Sequence, residues 1–257
     1  MTVGVYGLGR FGYFWAELLS RSFEVCAASR DPTRRVPDGV LAVSEEKLFS
    51  LPVLFLCVAI SAMEEVLGRL AGRLLPGTLV MDTCSVKAYP ASLMKRILPT
   101  EVSILGTHPM FGPDSARKGI GGLPMILCPV RIGGPELEEW KGSFSSLGLS
   151  VSVMDAYAHD REAALTQGIA HYIGRVLRDF GVEQSSIATV GYRKLLEIVE
   201  QTCNDPWQLF LDLQRYNPYT REMRLRLKKS LDSVMAAIET SLDMPETGGY
   251  HGANERE

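Results

Sequence analysis

The sequence predicts an α/β protein, a Rossmann-type doubly wound parallel sheet at the N-terminus followed by an all-helical C-terminal part. Three observations lead there. Short β-branched runs alternate with helix-like stretches up to about residue 156, a glycine-rich turn ends the first run, and strand signals stop beyond Asp160. Alternating strands and helices imply crossover connections, hence parallel strands with helices on both faces.

In order, Thr2–Tyr6 reads as a strand, residues 11–21 as a helix and residues 23–28 as a second strand. A third apolar run covers 52–58, and an amphipathic helix covers 62–74. Residues 79–81 form a strand ending at Asp82, and 103–106 another ending at Thr107. The runs 125–127, 131–133 and 149–154 complete the sheet. Beyond Asp160 the patterns are helical to about Leu242, with breaks at Gly181, Asp205-Pro206 and Asn217-Pro218. The chain divides into a dinucleotide-binding domain over 1–156, a helical substrate and dimerisation domain over 157–243, and a tail over 244–257 whose Gly, Asn and Glu content predicts disorder. The helical part cannot bury its apolar faces alone. Leu195, Ile198 and Val199, with Leu209, Phe210 and Leu213, are expected to interlock with a second copy across a two-fold axis, as a homodimer.

Composition narrows the function. The 257 residues are 46% hydrophobic, enough for one large or two modest domains. A formal charge of −3 gives no reason to expect nucleic acid or an anionic membrane as partner. No apolar run approaches the ~20 residues of a membrane span. The first residues pass from a strand straight into a glycine turn, so no signal peptide is expected. Cys26, Cys57, Cys84, Cys128 and Cys203 show no C-x-x-C spacing. An odd, dispersed set points to reduced thiols in a cytoplasmic protein, with neither a disulfide framework nor a metal site.

Gly7-Leu-Gly-Arg-Phe-Gly12 is G-x-G-x-x-G, placed between a strand and a helix. In that context it is a dinucleotide fingerprint. Gly7 permits the tight turn, Gly9 lets the backbone approach a pyrophosphate, and Gly12 allows helix and strand to pack closely; Leu8, Arg10 and Phe11 line the same turn. The helix N-terminus offers free N–H groups and a positive dipole end. Cys57 and Val58, closing the third apolar run, are the next positions along this edge. Where an acidic residue would bind the ribose of NAD, the second strand ends in Ser29-Arg30-Asp31, with Arg34 close behind. Arg30 suits a 2′-phosphate, so the expected cofactor is NADP; Asp31, shifted by one residue, keeps NAD as the alternative.

Open α/β sheets bind ligands at the carboxyl ends of their strands. Two such ends carry unusual residues: Asp82-Thr-Cys-Ser-Val-Lys87, and Gly106-Thr-His-Pro-Met-Phe-Gly-Pro113. The first supplies Ser85; the second supplies His108, one of only four histidines. With His159-Asp-Arg161, Gln167-Gly-Ile-Ala-His171 and a looser match from Asp205-Pro206 to Asp212, these segments resemble the prephenate/arogenate dehydrogenases of tyrosine biosynthesis. The resemblance implies oxidative decarboxylation of a small-molecule cyclohexadienyl substrate. His108 would take the hydroxyl proton, ionising near the reference value of about 6.5. Ser85 would bond the hydroxyl and orient His108 beside the nicotinamide. His171 would face the substrate side chain, with Gln167 one turn away on the same helix face. Where the family places an arginine for the ring carboxylate, this chain has Gln201, leaving Arg193, Lys194 or an arginine of a second copy to supply the charge.

Two other readings stay open on sequence alone: a β-hydroxyacid or imine-type reductase of similar plan, and a non-catalytic NADP-binding regulator that senses redox state. The former lacks its characteristic lysine here; the latter would need no proton acceptor in the cleft. Prephenate and arogenate differ by one side-chain group and are not separated at this stage.

Overall fold

The computed structural model describes residues 1–242; the tail over 244–257 lies outside the described residues. The strands are β1 (Thr2–Tyr6), β2 (Glu24–Ala28), β3 (Val40–Ala42), β4 (Val53–Leu56), β5 (Leu79–Asp82), β6 (Ser103–Pro109), β7 (Pro124–Arg131) and β8 (Ser150–Val153). They form one sheet in the order β3-β2-β1-β4-β5-β6-β7-β8. Strands β1 to β6 are parallel, and the order reverses between β1 and β4, the position at which such sheets open a ligand crevice.

Period-two alternation sorts the sheet into two cores. In β4, Leu54 and Leu56 face helices α2 (Glu45–Phe49), α3 (Met63–Leu70) and α4 (Ala88–Ile97). Val53 and Phe55 face α1 (Arg10–Leu19) and α5 (Gly134–Ser146), where Trp15, Trp140 and Phe144 pack around Phe55. A strand buried on both faces needs apolar residues at every position, and β4 has them.

Three expectations are corrected. The sheet is not wholly parallel, because β7 pairs antiparallel with β6. The connection from Pro109 to Pro124 holds only the short 3-10 turn Ser115–Lys118, too little for a crossover helix, so the chain returns beside the strand it left. Residues 125–127 and 131–133 are not two strands. Pro124–Arg131 is one strand that carries Pro129 across, with a register shift opposite Ile104 and Leu105 taking up the residue that cannot donate to the ladder. Finally, β6 does not stop at Gly106. It runs through His108, which pairs with Ile126.

The helical part holds α6 (Ala156–Ala163), a π-helical turn at Ala164–Gly168, α7 (Ile169–Phe180), α8 (Val190–Cys203), α9 (Trp207–Tyr216) and α10 (Thr220–Leu242). Its breaks fall at Gly181, Asp205-Pro206 and Asn217-Pro218 as the sequence indicates; Gly181 caps α7 in the left-handed conformation. This part docks on the carboxyl edge of the sheet. Asp212 accepts hydrogen bonds from the backbone N–H (3.0 Å) and hydroxyl (2.8 Å) of Ser61, and Tyr216 stacks on Tyr89 at 4.4 Å. The apolar faces expected to meet a second copy are mostly spent within the chain. Val199, Phe210 and Leu213 are buried, and Ile198 and Leu209 line an internal cavity. Free apolar surface lies instead on α10, at Leu231, Val234, Met235 and Ile238.

The glycine turn is sterically exacting. Gly7 has φ +101°, and a Cβ there would lie 2.5 Å from the carbonyl oxygen of Cys57. A Cβ on Gly12 would lie 1.8 Å from the carbonyl oxygen of Gly7, so strand and helix would have to part. Gly12→Ala is therefore expected to destabilise the fold by about 3 kcal/mol or more, the upper range for overpacking a closed contact. Urea denaturation monitored by circular dichroism reads this directly; a loss below 1 kcal/mol would show that the turn relaxes.

Candidate active site

A cavity of about 510 Å³ opens where the carboxyl ends of β1, β4, β5 and β6 meet α7, α8 and α9. It is lined by Gly9, Arg10, Phe11 and Gly12 from the first turn, Cys57 and Val58 after β4, Ser85 after β5, and His108 on β6. Gln167, His171 and Gln201 close it from the helical side. Eleven residues singled out from sequence thus converge on one space. Gly7 and the buried Leu8 shape the turn without lining it. Arg193 lies exposed on α8 and does not reach this cavity within its own chain.

Gly9 is the N-cap of α1; its absent side chain leaves the first-turn N–H groups without a side-chain cap, and a Cβ on Gly9 would meet nothing within 4 Å. This open cradle at a helix N-terminus fits a pyrophosphate. At the end of β2, Arg30 is exposed and pairs only loosely with Glu65, at 3.5 Å. Asp31 is occupied. Its carboxylate accepts from the backbone N–H (3.0 Å) and hydroxyl (2.6 Å) of Thr33, which hold its pKa below the usual range, and it pairs with Arg34 at 3.4 Å. Ser29 stands between β2 and this turn.

His108 is buried, and its Nδ1 lies 2.8 Å from Nε2 of His159. His159 Nδ1 lies 2.8 Å from Oδ1 of Asp160. Asp160 also accepts the backbone N–H groups of Lys87 (2.7 Å) and Ala88 (2.9 Å), capping α4. A carboxylate that accepts at one end of this chain of bonds sets both tautomers. His159 donates from Nδ1 and accepts at Nε2; His108 donates from Nδ1, leaving its Nε2 lone pair free. Burial, then the neighbouring His159, Lys87 and His171, hold the His108 pKa well below its ordinary value. The expected ionisation near 6.5 is corrected accordingly: an imidazole this buried stays neutral at lower pH. The His159-Asp160 dipeptide was visible in sequence, but only the fold shows that it orients His108.

Three buried polar atoms facing this space lack a partner among the described residues: the Ser85 hydroxyl, Oε1 of Gln167 and Nδ1 of His171. Orphaned polar atoms that converge on one cavity are what a polar ligand would satisfy. Gln167 sits in the π-helical turn, whose extra residue re-aims it relative to His171. Burial lowers the His171 pKa to about 4, with the Arg175 cation adding to it, so the ring is neutral at pH 7.

Sequence reasoning gave no role to Asp205. Its carboxylate lies 3.9 Å from His171 Nε2 and 3.3 Å from the Arg10 guanidinium, which also grips Asp114 at 2.5 Å. Burial raises the Asp205 pKa, opposed by Arg10. Arg10, expected at the cofactor, thus also ties the glycine turn to the helical part. It is the only lysine or arginine lining the cavity among the described residues.

Comparison with known proteins gives this geometry its context. Residues 35–153 match the family described as "Prephenate dehydrogenase, nucleotide-binding domain", and residues 176–247 match "TYRAAT1-like, C-terminal domain". The chain is 36% identical over 250 residues to arogenate dehydrogenase 2, chloroplastic, of Arabidopsis thaliana, an alignment covering 91% of this chain and 69% of that protein. It is 32% identical to arogenate dehydrogenase 1, chloroplastic, of the same plant, covering 93% of this chain but 39% of the relative's length. The fold superposes on the crystal structure of prephenate dehydrogenase from A. aeolicus in complex with hydroxyphenyl propionate and NAD+, with a TM-score of 0.74 at 19% identity, over 95% of this chain and 92% of that one. The chain belongs to the prephenate/arogenate dehydrogenase family.

Proposed function

We propose that this protein is an NADP-preferring arogenate dehydrogenase, carrying out an oxidative decarboxylation in tyrosine biosynthesis. The observation that carries the reading is the His108–His159–Asp160 chain, which presents one free imidazole lone pair to the cavity shared by Ser85 and the glycine turn. Gly9 to Gly12 at the uncapped start of α1 would hold the dinucleotide, whose nicotinamide would supply the acceptor for a hydride from the hydroxyl-bearing ring carbon. His108 Nε2 takes the hydroxyl proton as that carbon becomes a carbonyl. The bond to the ring carboxylate then breaks, CO2 leaves, and its electron pair aromatises the ring; His108 returns the proton to the phenolic oxygen. Ser85 bonds the hydroxyl and holds it toward His108. Asp160, acting through His159, steadies the imidazolium while it exists.

This reading predicts that His108→Asn lowers kcat by about 10²–10⁴-fold with substrate and NADP affinities largely kept, since the amide still hydrogen-bonds. The active form of His108 is the neutral one and its pKa is depressed, so kcat/KM should rise with pH along an acid limb below 6.5 and stay flat through pH 7. A His108→Asn variant turning over near the wild-type rate with the same limb would make His108 structural.

NADP is preferred because Arg30 is exposed at the end of β2, held only by a solvent-exposed pair with Glu65 at 3.5 Å, while Asp31 accepts two hydrogen bonds from Thr33. Arg30→Ala should weaken NADP by about 10- to 100-fold and NAD little, the size of one lost charged contact. Equal effects on both cofactors, measured by fluorescence titration, would move the discrimination to Asp31.

Arogenate is preferred because a partly buried carboxylate, Asp205, stands beside His171 at the substrate end. A side-chain ammonium adds a second cation to this carboxylate beside Arg10; a keto group only adds acceptor oxygen next to it. Asp205→Asn should cut kcat/KM for arogenate by about 10- to 100-fold and leave that for prephenate level or higher. An equal fall for both substrates would assign Asp205 to structure alone.

The exposed stripe of Leu231, Val234, Met235 and Ile238 on α10 supports a homodimer. The charge for the ring carboxylate beside Gln201 would then come from an arginine of the second copy, since Arg193 of the same chain does not line the cavity. Five free cysteines suit a reducing compartment, the cytoplasm, and among the described residues no helix is long and apolar enough to cross a membrane.

A further inference from the structure

Lys87 is fully buried, with its side chain at 0% exposure. Burying an ammonium this deeply is costly unless it is paired and hydrogen-bonded, and here it is both. Its Nζ donates to the Asp82 carboxylate at the end of β5 and to the carbonyl of Thr107 on β6, at 2.5 Å. Thr107 returns a hydroxyl bond of 2.6 Å to the carbonyl of Asp82. The two strand ends so joined carry Ser85 three residues on and His108 at the next position. The backbone N–H of the same lysine donates to Asp160, which holds His159 and through it His108. One residue therefore touches all three supports of the reacting pair: the Ser85 loop, the His108 strand and the relay carboxylate.

We propose that Lys87 is a positioning residue for the reaction, holding His108 in register with Ser85 and leaving the buried cluster with room for one proton. The second half of this inference is a charge count. Asp82 and Asp160 contribute two carboxylates and Lys87 one ammonium, a net of one negative charge. A proton arriving on His108 makes the cluster neutral, so proton uptake during turnover leaves no unbalanced buried charge. The titratable groups facing Lys87 are Asp82 on β5, Cys84 in the following loop, His108 on β6, Cys128 on β7 and Asp160 on α6, with His159 on α6 and His171 on α7 next to His108. Burial raises both thiols, Cys128 to about 12, which keeps them out of the count near neutral pH.

The inference rests on His108 as proton acceptor and is tested beside it. Lys87→Met keeps length but removes the charge and both bonds. We expect kcat to fall about 100-fold, the cost of a displacement on the order of 1 Å at a reacting pair, with NADP affinity within about 3-fold of wild type because the glycine turn is untouched. The acid limb of kcat/KM should move up by about one pH unit or more, since two carboxylates then face the imidazoles without a cation. In Lys87→Met/Asp82→Asn the net charge is restored. The limb should return toward wild type while kcat stays low, because the tie to Thr107 is not remade. A purely structural role would lower stability and leave the limb in place. If Lys87→Met fails to fold, the double variant carries the test alone through its low kcat at normal NADP affinity. The proposal is overturned if Lys87→Met keeps kcat within about 3-fold, if its limb coincides with that of the double variant, or if the double variant turns over at the wild-type rate. Should His108→Asn itself remain active, the acid–base reading fails; should it be inactive while Lys87→Met is unaffected, only this inference does.

Discussion

The Asp160 carboxylate is the joint on which the rest of the site depends. It belongs to α6, in the helical part, yet it accepts the first two N–H groups at the start of α4 in the sheet part, and the ring N–H of its own neighbour His159. A buried carboxylate needs several N–H donors to replace lost water, and a helix N-terminus supplies both donors and a favourable dipole end. One interaction therefore docks the two parts of the chain, terminates α4 and fixes the tautomer of the residue that bonds His108. Asn217 donates to the backbone carbonyl of Asp160 at 2.8 Å, extending the joint to the end of α9.

Around that joint, polar groups are buried in an order that topology explains. Six parallel strands bring their carboxyl ends to one edge, where each strand end exposes a loop and a helix start rather than a core face. The switch to antiparallel pairing at β7 lets β6 run two residues beyond Thr107, carrying His108 on rigid backbone bonded to Ile126. A catalytic group on a strand is held more precisely than one on a loop. The opposite wall is helical and interrupted, with a π-turn at Gln167 and the Asp205-Pro206 break between α8 and α9. Electrostatically the cleft divides the same way: the sheet side buries Lys87 against the carboxylates of Asp82 and Asp160, and the helical side offers atoms of Gln167 and His171 that have no partner among the described residues, beside Asp205.

The glycine turn, the alternation of Val53 to Leu56 and the helix breaks were legible in the sequence because each is a local requirement. Gly12 must lack a side chain whatever surrounds it, and a strand buried on both faces must be apolar throughout. His108 and Ser85 were legible for a related reason, since both lie in short unbroken motifs at strand ends. What was not legible depends on pairs distant in sequence. His159 meets His108 across 51 residues, and Asp205 meets Arg10 across 195. No periodicity encodes such meetings. The apolar faces of α8 and α9 looked like dimer surface for the same reason: a stripe shows that something covers it, not what.

By itself, then, the sequence determined the parallel strands β1 to β6, the nucleotide turn and the presence of a histidine at the end of β6, because backbone sterics and strand or helix period act over a few residues. Tertiary structure alone decided the burial and ring partner of His108, the direction of β7 and the partners of Asp160, Asp205 and Lys87. These depend on burial and on charges a few ångströms away in space, and the fields of such groups add up only once the fold has brought them together.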